Sequence, residues 1–328
     1  VIEIITPGFY SSVQDKGRFG YRSAGVGCCG AMDSQALAIG NAALGNTPDA
    51  AAIEFTLGGF EIEAKSDITI CLAGAPVDAQ VDGKPIFRWW LQTVLKGQRL
   101  KAGRCQSGMR VYLCVLGGIE VPLVLGSRST DLKGQFGGVE GRLLKRGDQL
   151  SIGTNPKGGN ATSIGISPRG FPDLWRDLNE TPTLRFVPAS EWGDLDANNQ
   201  AEFLTSDWQI TPASNRVGYR LSGPELRPET PREMLSHGIL PGTIQLPPSG
   251  QPVVQLMDAN TAGGYPKLGK IIDADLPVLA QIPLGETIRF QSCTIEEATT
   301  AQDRQHLQTE SIRRLMTMAH GRCQREIN

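Results

Sequence analysis

RFGYRSAG at Arg18–Gly25 returns as RVGYRLSG at Arg216–Gly223, identical at five of eight positions. Two further echoes follow in the same order. LKRGDQLSI (Leu144–Ile152) resembles IPLGETIRF (Ile282–Phe290), each a glycine, an acid and a short alternating run. A strand-like run enters a double glycine at Gly117 and Gly118 and again at Gly263 and Gly264. One such match is within the reach of chance in a glycine-rich chain, but three in register order point to two copies of one β-rich domain, the first carrying insertions. The length of 328 residues fits two cores better than one, and 39 glycines with 21 prolines supply the turns that short-stranded β architecture needs.

Working outward from the first copy, Val1–Thr6 alternates as a strand that Pro7 and Gly8 end. A helix starts with Asp33 or Ser34 as N-cap and stops at Gly45 and Asn46. Its Ala, Gly and Leu side chains leave little polar face, so it is expected to plug or cover the first barrel. Further strands are expected around Ile53–Thr56, Asp67–Leu72, Ala79–Val81, Arg99–Lys101, Met109–Leu116 and Gln149–Ile152, with hairpin turns at Asp82–Gly83 and Lys96–Gly97. The glycine-dense run from Gly126 to Gly141 reads as a structural connection or an anion-holding loop; no Gly-Lys-Ser/Thr follows, so it matches no P-loop. Asn155–Pro168 has linker composition. The domains are therefore expected at 1–160, 168–293 and, as a closing helix and tail, 294–328.

In the second copy, strands are expected at Thr183–Val187, Trp208–Ile210, Tyr219–Leu221 and Thr287–Phe290, with partial helix over Glu191–Ser206. Thr294 and Glu297 form a capping box for a last helix whose apolar residues, Ala298 to Met316, are expected to pack on the second barrel or to form an oligomer seam. The working face is expected in GTIQLPPSGQPVVQLMDANTAGGYP, Gly242–Pro266. Two alternating runs flank Pro-Pro-Ser-Gly and read as a hairpin; a polar loop ending in two residues without Cβ follows.

Composition removes several function classes. A net charge of −2 with no basic run argues against a nucleic-acid surface. No apolar run is long enough to span a bilayer and the N-terminus lacks a signal-peptide pattern, so a cytoplasmic protein is expected. Seven cysteines, an odd number, argue against a disulfide framework, and adjacent Cys28 and Cys29 read as packed thiols before reactive ones. Three histidines at spacings that suit no zinc site leave no metal to expect.

VQDKGRFGYR, GAMD, EFTLGG, VLGGIEVPLVLGSRSTDLKGQFGGVEGRLLKRGD, SNRVGYRLSG and SHGILPGTIQLPPSGQPVVQLMDANTAGGYPK together resemble the family variously called PxpC (the C subunit of 5-oxoprolinase), biotin-dependent carboxyltransferase-like, KipA-like or allophanate hydrolase subunit 2. The resemblance spans nearly the whole chain. It implies a mainly β fold of two tandem cyclophilin-like β-barrels. It also implies a hydrolase working inside a complex with PxpA-like and PxpB-like (KipI family) subunits, in which ATP drives the opening of 5-oxo-L-proline to L-glutamate. Related modules act as carboxyltransferases on urea with carboxybiotin carried by a partner, and KipA-like members act as regulators without catalysis. This chain has no Met-Lys-Met biotinyl segment and no ATP-grasp or P-loop signature, so neither covalent biotin nor a complete carboxylase is expected. It departs from the family at Asn215, where Asp is frequent, and at Ala259 and Asn260, where a longer polar side chain is frequent.

A lactam site on a substrate with one carboxylate needs a cation and donors for a developing oxyanion. Arg216 and Arg220 are candidates for the carboxylate, with a structural ion pair or cap as the alternative. Thr261 and the backbone at Gly263 and Gly264 suit the oxyanion, and Tyr265 is a further substrate-binding candidate. Asp258 is a candidate base or orienter of the lactam N–H, Gln245 and Asn260 offer amide hydrogen bonds, and His237 is a candidate proton shuttle set against an ordinary structural histidine.

Overall fold

The computed structural model describes residues 1–154, 164–166, 181–228 and 234–326, with side chains described to residue 319. The chain divides into one unit of Val1–Arg18, Cys29–Pro172 and His306–Asn328 and another of Phe19–Cys28 and Asp173–Gln305. Apart from residues 164–166, the linker expected over Asn155–Pro168 lies outside the described residues.

In the first unit, Ile2 and Ile4 are fully buried and their neighbours are not, so the strand Ile2–Thr6 turns one face to a core. It sits inside a seven-stranded sheet ordered Ile119–Glu120, Gln149–Ile152, Ile2–Thr6, Glu61–Ala64, Arg99–Cys105, Val77–Val81 and Lys84–Ile86. A second, five-stranded sheet runs Tyr10–Gln14, Ala52–Thr56, Arg110–Val115, Ile68–Gly74 and Leu91–Val94. Its three central strands are buried at every position, which demands cover on both faces. On one face Phe55 stacks on Phe60, at the start of the other sheet, with ring centroids 3.7 Å apart. The other face takes helix α1, Ser34–Leu44.

The expected caps of α1 are the observed ones: Asp33 accepts from Ala36 N at 2.8 Å, and Gly45 ends the helix at φ 74°. Nine of its eleven residues are buried, so it is a covering helix with no solvent face. It packs on Cys71, Ala73, Tyr112 and Cys114 of the sheet. Burial pushes the Cys71 thiol up to about 12, which leaves it an inert core group at neutral pH.

The second unit is a closed barrel of seven strands: Thr183–Pro188, Lys267–Ile271, Thr243–Gln245, Val253–Gln255, Gly218–Ser222, Trp208–Ile210 and Thr287–Ser292, the last pairing in parallel with the first. An aromatic cluster joins helix and barrel strands, with Phe203 stacked on Phe290 at 4.6 Å and edge-on to Phe186 at 5.5 Å. Phe203 comes from α2, Ala197–Thr205, inside the stretch expected to be partly helical. The short α3, Leu276–Gln281, carries a proline in its first turn, which hid it from a periodicity reading. The fold is thus mainly β, with a closed barrel in the second half, while the strands of the first half pair into two sheets.

Three expectations change. The first echo falls on different elements: Val217–Leu221 alternates into the strand Gly218–Ser222, whereas Gly20 and Gly25 at φ 92° and 81° bracket a 3-10 turn at Arg22–Ala24. The glycines and arginines of the two copies serve different local purposes. The second echo does hold, since Gly147 and Gly285 share positive φ, and each donates its N–H to a neighbouring strand just before the strand that follows it. Lys96–Gly97 is no hairpin; the strands on either side of it belong to different sheets. Finally, α4, Ile295–Glu326, starts with the expected reciprocal Thr294–Glu297 cap but runs past Met318, and its Ile312 and Met316 join the core around α1 in the first unit, not the barrel.

Helix and sheet of the first unit meet tightly at Gly40, where an added Cβ would lie 2.6 Å from Cys114 Sγ and 3.0 Å from Ala73 Cβ. Gly40→Val is expected to cost about 1–3 kcal/mol through overpacking, read as a lowered midpoint in urea unfolding, whereas Gly45→Asn should be nearly neutral.

Candidate functional site

The expected hairpin forms in the barrel wall, with Ile244 opposite Val254 and Gln245 opposite Val253. Ile244 and Val254 are fully buried on its apolar face. Strand alternation puts Thr243, Gln245, Val253 and Gln255 on the other face. That face is covered too. A two-stranded ribbon, His237–Gly238 paired with Ala262–Gly263, lies against it. A Cβ on Gly263 would meet Gln245 Nε2 at 3.1 Å and Ile239 Cδ1 at 2.6 Å, so the absent side chain is what lets the ribbon approach the glutamine. Lys267 Nζ holds the ribbon by donating to Gly238 O at 2.6 Å.

Inside this sandwich, Gln255 Nε2 donates to Gln245 Oε1 at 2.9 Å. Gln245 Nε2 is buried and has no acceptor, and His237 Nε2 is likewise buried without a partner. His237 Nδ1 lies 3.0 Å from Leu235 O, a group that only accepts. Buried polar groups left without partners are rare and point to something that completes them, so the Gln245 amide against Gly263 and the ring of His237, the ribbon partner of Gly263, make this the candidate site. Glu191 is close to the same histidine. Burial raises its carboxyl, but hydrogen bonds from Ser190 and backbone N–H groups hold it below the usual range, with a smaller pull from the His237 ring in its protonated form.

Other expected residues do not converge here. Arg216 Nε and Nη2 donate to Asp258 Oδ2 and Oδ1, both at 2.9 Å, and Asp258 N donates to Arg216 O at 3.0 Å. The pair is almost fully buried. Both oxygens of Asp258 are engaged, which is the structural ion pair and not a free base or a substrate clamp. Arg220 is exposed on the strand whose Tyr219 points into the core, and Asn260 is exposed. Thr261 contributes its carbonyl, accepting from Ile239 N at 2.9 Å to extend the ribbon. Gly264 sits against Met234 O, and Tyr265 is half-exposed at the ribbon's exit. Of the residues singled out in the sequence, His237, Gln245 and Gly263 come together here, and Gln255, Lys267 and Glu191, which the sequence did not single out, lie beside them. Gln255 had a detectable signal: it shares the polar face of the hairpin with Gln245.

The Gly126–Gly141 run is no phosphate cradle. An added Cβ would collide with Ser129 O at Gly137 and with the Gln135 backbone at Gly141, so the loop's own backbone fills the space. Asp15 ties it down, accepting from Ser127 Oγ at 2.7 Å, Ser129 Oγ at 2.5 Å and Arg128 N at 2.6 Å. Arg18 adds bonds to Val124 O and Ser129 O and lies 4.7 Å over the Phe136 ring. Among the described residues no group of three or more His, Cys, Asp or Glu comes together as a metal site, and no helix is long and apolar enough to cross a membrane.

The chain belongs to the carboxyltransferase domain, subdomain A and B, family, whose model matches residues 24–292. It is 46% identical over 306 residues to the C subunit of 5-oxoprolinase from Escherichia coli strain K12, covering 93% of this chain and 96% of that protein. It is 40% identical to the C subunit of 5-oxoprolinase from Haemophilus influenzae, over 96% and 99% of the two chains. The solved urea carboxylase of Kluyveromyces lactis superposes with a TM-score of 0.85 at 27% identity, over 95% of this chain and 29% of that one.

Removing one member of a buried ion pair leaves the other charge uncompensated. Asp258→Ala is therefore expected to cost about 3–5 kcal/mol of stability, with the doubly substituted Arg216→Met, Asp258→Leu protein recovering much of it. Guanidinium unfolding of the two variants beside the wild type checks this, and a near-native midpoint for Asp258→Ala would refute it.

Proposed function

We propose that this chain is the lactam-binding subunit of an ATP-dependent 5-oxoprolinase, opening 5-oxo-L-proline to L-glutamate together with PxpA-like and PxpB-like partners. The observation that carries the reading is the 46% identity that extends over 96% of the Escherichia coli protein. The site supports it chemically. A lactam offers one carbonyl oxygen and one N–H, and the described site offers Gln245 Nε2 as an unpartnered donor and His237 Nε2 as an unpartnered ring nitrogen. Gln245 would polarise the carbonyl and hold the oxyanion that develops on it. His237 Nε2 would accept the lactam N–H, take up a proton from the water that adds to the carbonyl carbon, and pass it to the ring nitrogen as the C–N bond breaks.

The glycine loop nearest in composition to a phosphate cradle is filled by its own backbone, so that loop does not fit a triphosphate. ATP chemistry is accordingly assigned to the partner subunits, and no step here runs through it. A carboxyltransferase acting on urea with partner-borne carboxybiotin is the second reading, favoured by the fold shared with the Kluyveromyces lactis urea carboxylase. Urea presents the same adjacent C=O and N–H, so the two readings share a site and differ in the partner.

Purified chain alone is expected to release no glutamate from 5-oxo-L-proline, with or without ATP, and to do so once the two partner subunits are added. Turnover by the chain alone would remove the division of labour, and inactivity of the full set would remove the assignment. In the active complex, Gln245→Leu is expected to lower kcat by roughly 10²–10³-fold and His237→Ala by roughly 10²–10⁴-fold, without loss of folded protein.

A further inference from the structure

An amide side chain presents an acceptor on one side and two donors on the other, and a half-turn of its last torsion exchanges them. What a glutamine reads in a ligand therefore depends on what holds its other end. Gln255 holds that end of Gln245. It approaches with its Nε2, so Gln245 Oε1 is consumed at 2.9 Å and the NH2 group is left facing Gly263. Both side chains are at least nine-tenths buried, at 3% and 9% exposure, so water does not compete for the bond. His237 is fixed the same way from the other side. Its Nδ1 lies 3.0 Å from Leu235 O, so the neutral ring keeps its proton there and offers a lone pair at Nε2. His237 is also the ribbon partner of Gly263, against which the Gln245 amide rests.

We infer that Gln255 is a positioning residue that sets the polarity of this site: it holds Gln245 as a donor beside His237 as an acceptor, so that the pair reads a cis-amide edge. A lactam ring forces N–H and C=O onto the same side, where both meet these groups together. An open-chain amide is trans, with the two on opposite sides, and satisfies only one of them. The inference rests on the lactam reading of the site and adds to it the reason a ring is preferred over a peptide.

The test compares Gln255→Glu with Gln255→Leu. A carboxylate only accepts, so it draws the Gln245 NH2 toward itself and turns Oε1 to the ligand, setting oxygen against oxygen. Leucine leaves the amide free to turn. By titration calorimetry with 5-oxo-L-proline, in the reconstituted complex, Gln255→Glu is expected to raise Kd by roughly ten- to a hundredfold and Gln255→Leu by only about two- to fivefold. In a Gln245→Leu background the Glu substitution should add nothing further. A packing role for Gln255 predicts that Leu does as much harm as Glu, and equal effects, or no effect of Glu, overturn the inference. A wild-type complex that binds no 5-oxo-L-proline overturns the function assigned above instead. The orientation is then decided in the ligand-free chain by the Gln245 side-chain amide signal in nitrogen NMR. Its protons are expected to move downfield in Gln255→Glu, and unmoved protons overturn the polarity.

Discussion

The second unit hangs on a buried ion pair. Arg216 precedes the strand Gly218–Ser222, and Asp258 follows the strand Val253–Gln255, so the bidentate contact clamps two neighbouring barrel strands at one end. Burying two charges is expensive, and the cost is offset only when geometry is good and the remaining polar atoms are bonded. Here the side-chain fork and the Asp258 N–H to Arg216 O bond act together. The clamp matters less for the energy it adds than for the alternatives it excludes. A shifted register would leave an unpaired charge in the barrel wall, at a cost of about 3–5 kcal/mol.

That clamp fixes where the chain leaves the wall. The loop from Asp258 to Thr261 then returns as the ribbon strand Ala262–Gly263, whose position over the hairpin is set by the missing Cβ of Gly263 and by the Lys267 bond to Gly238 O. The ribbon seals the polar face of the hairpin and turns Gln245 and Gln255 from surface residues into a buried, directional pair. The first unit shows the same economy. Asp15 takes hydroxyl and backbone donors from Ser127, Ser129 and Arg128 and makes a glycine-rich loop rigid. The repeated arginine is thus used twice as structure: Arg18 on carbonyls and an aromatic ring, Arg216 on a carboxylate.

Local chemistry was legible wherever one residue type has one use. Asp33 and Gly45 bound α1, Thr294 and Glu297 start α4, and Asp82 and Gly83 turn the hairpin between Val77–Val81 and Lys84–Ile86. The strand Tyr10–Gln14 was not legible, because Ser11, Ser12 and Gln14 are polar and break any apolar alternation, yet are buried all the same. Their polar atoms find partners far along the chain, Gln14 reaching Thr130 O, and sequence periodicity carries no trace of such contacts. In the site, His237, Gln245 and Gly263 stood out by type, while Asp258 drew attention for a carboxylate that Arg216 already occupies.

By itself the sequence determined the β-rich class, the duplicated strand-turn signal at Gly147 and Gly285, the caps of two helices and the family to which the chain belongs. Tertiary structure alone decided that the first strands part into two sheets, that α4 packs beside α1, and which way the Gln245 amide faces. The reason is the same in each case. Pattern and propensity act over a few residues, whereas burial, charge pairing and the direction of a hydrogen bond depend on which distant atom arrives opposite, and Gln255 reaches Gln245 only because the hairpin closes.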